Sequence, residues 1–257
     1  MKRVFIAVSL TSLFSLAGCA KDYSLAPPED NEYVTVTIKV PSELVAETMN
    51  VMYRSPVCRR TSYGASGQRF ELDGFHNVDI QPERQGQSDL YQAKLPVIGG
   101  GACRWGLSNL TFGVRYRDPT QYGGGVIFGG GGGVVVMLDQ NNAPRGGANI
   151  AVEGDLILKK DYYPWFSESF LDGYNKFISL AGEGDTYLIY KAPQARSVYF
   201  EPVLHSNFML RSVGPKVKKK GNYRSFTYPD GSVYADGRSH PNFSRLQAIR
   251  LKAESKQ

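Results

Sequence analysis

The chain is poor in the side chains that most chemistry requires. Its 257 residues include 3 histidines and 3 cysteines. His76, His205 and His240 are not spaced as a metal pair. No His-Glu-x-x-His, Cys-x-x-Cys, Gly-x-Ser-x-Gly, Ser-x-x-Lys or Walker A segment occurs. The nearest approach to a site is His76 close to Asp73 and Asp79, which reads as a group of solvated loop residues. A Ser-His-Asp triad drawn from distant positions is a matter of geometry, which spacing does not address. The expectation is a protein without a catalytic residue, metal or cofactor. Neither sign of charge is in large excess: the formal net charge is +6, too mild to indicate a nucleic-acid partner. With 12% aromatic and 21% charged residues, the chain has the composition of a folded protein and not of a disordered one.

A membrane-spanning run is missing as well. Val4 to Leu16 is apolar and uncharged but too short to cross a bilayer comfortably. It follows Lys2 and Arg3 and ends in Leu16-Ala17-Gly18-Cys19, the layout of a signal peptide closed by a bacterial lipobox. Residues 1–18 are then a signal peptide and Cys19 carries the lipid; the alternative is a secretory signal with a free cysteine. Removing that segment takes Lys2 and Arg3 with it and leaves a net charge of +4. In Gram-negative lipoproteins an Asp after the cysteine favours inner-membrane retention. Ala20 stands there instead, which implies the outer membrane with the body facing the periplasm. Residues 19–32, with Pro27-Pro28 and no periodicity, read as a polar tether.

Setting Cys19 aside leaves Cys58 and Cys103. In an oxidising compartment an even pair is most simply a disulfide, with two buried thiols as the alternative.

Period-two alternation marks strands in "YVTVTIKV", "TMNVMYRS", "LYQAKLPV" and "LTFGVRY". The expected fold is mainly β, an antiparallel sandwich-like body with one or two short helices. Residues 33–160 would form a disulfide-bearing sandwich domain, and 161–257 a second β-rich subdomain. Arg59 to Asp89 reads as a long polar loop. The glycine segment Gly123 to Asp139 reads as a turn between strands "GVIF" and "VVVML", with a closely approached binding surface as the alternative. Phe166, Phe170, Tyr174, Phe177 and Ala181 recur at three and four, which predicts a helix there, opened near Pro164 and closed at Gly182.

One basic-aromatic segment stands out, Gly214 to Tyr234. Lys218, Lys219 and Lys220 are followed by Tyr223 and Arg224. They read either as a solvated hairpin with lysines guarding an edge or as a partner contact in which the lysines steer an acidic protein.

Taken together, "LAGC", "VMYRSPVCRRTSYG", "QPERQGQSDLYQAKLPV" and "GGGACRWGLSNLTFGVRY" resemble Gram-negative lipoproteins found with type VI secretion phospholipase effectors. The likeness lies mainly over residues 48–116. It implies a periplasmic immunity protein whose partners are an effector phospholipase and, through the lipid, the membrane. A structural or assembly lipoprotein of the envelope is the alternative.

Overall fold

A computed structural model of the protein describes residues 22–140, 150–184 and 186–256. Cys19 and the signal segment lie outside the described residues. The first strands are β1 (Tyr33–Lys39), β2 (Leu44–Ala46), β3 (Met49–Tyr63), β4 (Arg69–Ile80), β5 (Glu83–Arg84) and β6 (Leu90–Pro96). Next come β7 (Ile98–Gly100), β8 (Trp105–Tyr116), β9 (Val126–Gly130), β10 (Gly133–Met137), β11 (Ile150–Ala151) and β12 (Leu156–Ser169). The chain continues through β13 (Asn175–Gly182), β14 (Tyr187–Lys191), β15 (Ser197–Leu204), β16 (Leu210–Val213), β17 (Ser225–Thr227) and β18 (Val233–Tyr234), and ends in α1 (Phe243–Glu254).

The body is mainly β, as the alternation predicts, and consists of two packed sheets. One runs β18-β17-β16-β12-β15-β1-β6-β5, with β13 on β12 and β9 on β13. The other runs β11-β14-β10-β8-β3-β4, with β2 and β7 also on β8. Neither sheet is purely antiparallel, which corrects the expectation. β1 and β12 both lie parallel to β15, β10 to β14, and β9 to β13. Alternation fixes which face of a strand is buried but not the direction of its neighbour.

The core forms between the sheets. Val36 and Ile38 of β1, Val51 and Tyr53 of β3, Leu110 and Val114 of β8 and Phe200 of β15 are all fully buried. Phe112 meets Phe200 edge to face at 5.9 Å, joining one sheet to the other. Each such side chain contributes roughly 1.5–3 kcal/mol on burial. β12 runs through position 160, and both sheets draw strands from either side of it. A smaller cluster of Tyr163, Leu210, Phe226, Tyr228 and Leu246 seats α1 against the strands.

The helix expected around 162–182 is absent. β12 and β13 instead form an antiparallel hairpin in register Tyr162↔Gly182 to Ser169↔Asn175. The aromatic residues that mimic a helical stripe are good strand formers, and cross-strand pairing decides between the two periods. Gly173, at φ 93°, turns the hairpin. The α-helix comes instead at the end of the chain, where the Asn242 side chain accepts a hydrogen bond from Arg245 N at 3.1 Å.

The glycine segment joins two strands, as expected, but those strands do not pair as a hairpin. β9 pairs with β13 while β10 pairs with β8 and β14, so Gly131 and Gly132 carry the chain between sheets. A Cβ on Gly131 would lie 2.0 Å from Leu180 O. The close approach is made by the protein's own backbone.

Arg59 to Asp89 is likewise mostly strand. β3 and β4 continue as one long ribbon, paired out to Tyr63↔Arg69. The described part of the tether is docked on the body. Ala26 N donates to Gly99 O at 2.8 Å, and Trp105 Nε1 to Tyr23 O at 3.0 Å. The Asn31 side chain bonds both Ile98 N and Ile98 O.

Candidate functional site

A disulfide joins Cys58 on β3 to Cys103 ahead of β8, with Cα atoms 5.2 Å apart. Buried Ser55 organises the corner. Its Oγ donates to Cys103 O and accepts from Cys58 N at 2.9 Å and Val57 N at 3.1 Å. Gly74 crosses so closely that a Cβ there would lie 1.8 Å from Cys58 O. Neither Ser55 nor Gly74 carries a sequence signal, because both are needed only once the strands meet. The bridge ties β3 to the start of β8 and fixes the base of the ribbon.

At a second place the fold concentrates positive charge and exposed aromatic surface. At about 3.3 Å per residue, β12 from Leu156 to Ser169 covers roughly 40 Å, and its far end meets β13, β16 and the loop after β16. There Phe170 and Tyr174 stack with centroids 5.1 Å apart. Lys216 Nζ stands 5.5 Å from the Phe170 centroid and Lys176 Nζ 5.6 Å from that of Tyr174. On β16, Arg211 lies 5.2 Å over Phe166. Cations over ring faces are held by the ring quadrupole, and the pairs share one surface. Tyr174 Oη donates to Glu168 Oε1 at 2.5 Å, and that bond pushes the phenol pKa above its ordinary value.

Lys218, Lys219 and Lys220 follow Lys216 in the same loop and are exposed. Two bonds from Asn222, its N to Lys219 O and its side chain to Val217 O, shape that loop. Tyr223 is exposed. Arg224 is half-buried: its Nη1 donates to Ser212 Oγ at 3.0 Å and to Glu168 O at 3.3 Å, and burial lowers its pKa. Arg224 therefore braces the lysine loop against β12 rather than presenting its charge to solvent. Along residues 166–176 and 211–224 the acids are Glu168 and Asp172, against Lys176, Arg211, Lys216, Lys218, Lys219, Lys220 and Arg224. Phe170 and Tyr174 read in the sequence as part of a helical stripe that also spans Lys176, and Arg211 lies outside that stretch with no signal of its own; the β12–β13 hairpin and β16 bring these residues to one end of β12, beside Lys216. The arrangement offers an anionic partner ring surface beside the exposed ammonium groups of Lys218, Lys219 and Lys220.

The other sequence candidates separate. On β4, alternate residues face opposite ways, so His76 lies away from Asp73 and Asp79. His76 stacks on Trp105 at 5.5 Å, and Asp79 accepts from Asn50. His205 pairs with Asp161 in the seat of α1, where Gln247 and Arg250 also bind that carboxylate. Among the described residues no group of three or more His, Cys, Asp or Glu could hold a metal ion, and no helix is long and apolar enough to cross a membrane. Compared with known proteins, the chain matches no family model, no curated protein and no solved structure.

Proposed function

We propose that the protein is an outer-membrane-anchored periplasmic lipoprotein that binds and neutralises a phospholipase effector of type VI secretion. The observation that carries this reading is the cationic-aromatic surface built from the β12–β13 hairpin, β16 and the Lys216–Lys220 loop. Exposed lysines raise the association rate with an acidic protein surface, while Tyr174, Phe170 and Arg211 are residue types that anchor interfaces. Inhibition requires a rigid scaffold that occludes a cleft, and two packed sheets supply one. The segment of resemblance, residues 48–116, corresponds to β3 through β8 and includes the disulfide. An anchor at Cys19 would hold the inhibitor at high effective concentration beside a lipase that attacks the same membrane.

The test is protection. Cells lacking the gene are exposed to sister cells that fire the effector, and the purified effector is assayed on phospholipid with and without this protein. Sensitised deletion cells and a stoichiometric loss of lipase activity are expected. Full resistance of the deletion strain with no complex formed refutes immunity. An envelope defect without any attacker would favour the structural lipoprotein.

A further inference from the structure

Beyond Cys58 and Gly74 the β3–β4 ribbon leaves the body. Tyr53 and Val51 of β3 face inward opposite His76 and Val78 of β4. The same face of β4 continues through Gly74 to Leu72 and Phe70, paired with Arg60 and Ser62, but there it is exposed. Tyr63 at the tip is 68% exposed and Phe70 42%, and Val57, Leu72 and Phe75 are also open. β4 is the last strand of its sheet, and β8 pairs with β3 only up to Arg54. A two-stranded ribbon is marginal by itself; here the disulfide corner fixes its base.

The outer part of this arm is cationic. Between Val57 and Phe70 stand Arg59, Arg60 and Arg69 and no acid, while Glu71 and Asp73 come nearer the base of the arm. Arg69 is offset by Glu71 at 3.1 Å, and Arg60 lies 5.1 Å from the Phe75 centroid. Arginine beside exposed aromatic and aliphatic groups suits a bilayer interface: the rings and stems enter the acyl boundary, and the guanidinium groups meet phosphate.

The position of the N-terminal segment adds a second, independent argument. β8 runs antiparallel to β3, so the arm extends past the start of β8, where the Asp22 carbonyl lies 3.9 Å from Cys103 Sγ. From Cys58 to Tyr63 the arm reaches roughly 17 Å at strand rise. Cys19 is three residues before Asp22, at most about 10 Å of chain. A lipid on Cys19 thus brings the bilayer within the length of the arm.

We infer that the ribbon from Arg59 to Asp73 is a membrane-surface arm that lays the face bearing Phe70, Leu72 and Arg60 into the headgroup region of an anionic phospholipid bilayer. The inference rests on Cys19 as the attachment point and not on the identity of any protein partner. It orients the molecule, with the arm against the membrane and the cationic-aromatic surface at the far end of β12 turned away.

The test uses the mature chain from Cys19, with the Cys58–Cys103 bond intact. Its free Cys19 thiol is coupled to a maleimide lipid in vesicles, which supplies the anchor whether or not cells lipidate that residue. Phe70→Trp reports on the arm. On phosphatidylethanolamine vesicles containing phosphatidylglycerol, its added emission should shift to the blue and be quenched by brominated acyl chains. Arg59→Gln with Arg60→Gln should lower the inserted fraction, about fivefold per arginine at low ionic strength. Water-like, unquenched emission from anchored protein overturns the inference, as does a blue shift that appears only when a protein partner is added. Lipidation itself is read separately, from the mass of the protein recovered from membranes, so the two failures are distinguishable.

Discussion

His205 Nε2 and Asp161 Oδ1 stand 2.7 Å apart, with the imidazole stacked on Tyr163 at 5.1 Å. The other Asp161 oxygen accepts from Gln247 at 2.9 Å and from Arg250 at 3.3 Å, both on α1. One carboxylate on β12 therefore joins the β15 terminus to the C-terminal helix. Burial works against its charge, but the His205 and Gln247 bonds and the Arg250 charge outweigh it and hold its pKa below the usual 3.8.

The first expectation is pH-dependent. A carboxylate whose pKa is lowered by folding stabilises fully above its unfolded value and loses that stabilisation as pH falls through the folded value. Amide exchange in α1 should therefore accelerate below about pH 4 before the sheets open, and Asp161→Asn should abolish this acid step. At neutral pH the same substitution should cost about 1–3 kcal/mol. Equal protection of α1 in both proteins across the acid range would refute the assignment.

Glu47 has the opposite sign. Burial raises its pKa, and nearby Arg115 offsets only part of that. Its charged form is a cost at neutral pH that vanishes once it is protonated in both states. Glu47→Gln should thus raise the melting temperature at pH 7, by up to about 1 kcal/mol in stability, with no gain at pH 3. A destabilised variant at pH 7 would mean that the Arg115 attraction dominates.

The disulfide closes a loop of 45 residues in sequence separation. In the chain-entropy description its removal costs roughly 4 kcal/mol. Denaturant midpoints of Cys58→Ser with Cys103→Ser against the parent measure this. Loss of exchange protection should be concentrated in the ribbon, since its base loses the staple.

Gly74 tolerates no side chain, because Cys58 O occupies the space a Cβ needs. Gly74→Ala should destabilise by about 1–3 kcal/mol through overpacking. Neutral behaviour in thermal melts would show that the two strands can separate there without loss.

At the proposed partner surface, reversing Lys218, Lys219 and Lys220 to Glu should slow association at low salt and leave dissociation largely unchanged. Tyr174→Ala should instead speed dissociation. Stopped-flow traces at two ionic strengths separate the two effects, and unaltered association in the triple variant would remove the steering role.

The residues that were readable share a property. Val34, Val36 and Ile38, or Leu110, Phe112 and Val114, announce strands because one face of each must be buried whatever pairs beside it. Cys58 and Cys103 were readable as a pair because only two cysteines remain once Cys19 is set aside. Phe166, Phe170, Tyr174 and Phe177 were misread because aromatic residues at three- and four-residue spacing also satisfy two strands folded at Gly173. Arg59 to Asp89 misleads because its outer part is exposed on both faces, and nearer the body only Val78 and Ile80 supply an apolar core-facing side.

By itself, then, the sequence determined a β-rich chain with a paired set of cysteines and a lysine-rich segment, because burial and composition are local properties. Only the tertiary structure decided that the sheets are mixed and that Phe170 and Tyr174 stand beside Lys216. It also decided that Arg224 is a brace and that a stapled ribbon projects beside Asp22. Those outcomes depend on which strand lies next to which, and strand pairing is settled by contacts between residues far apart in the chain.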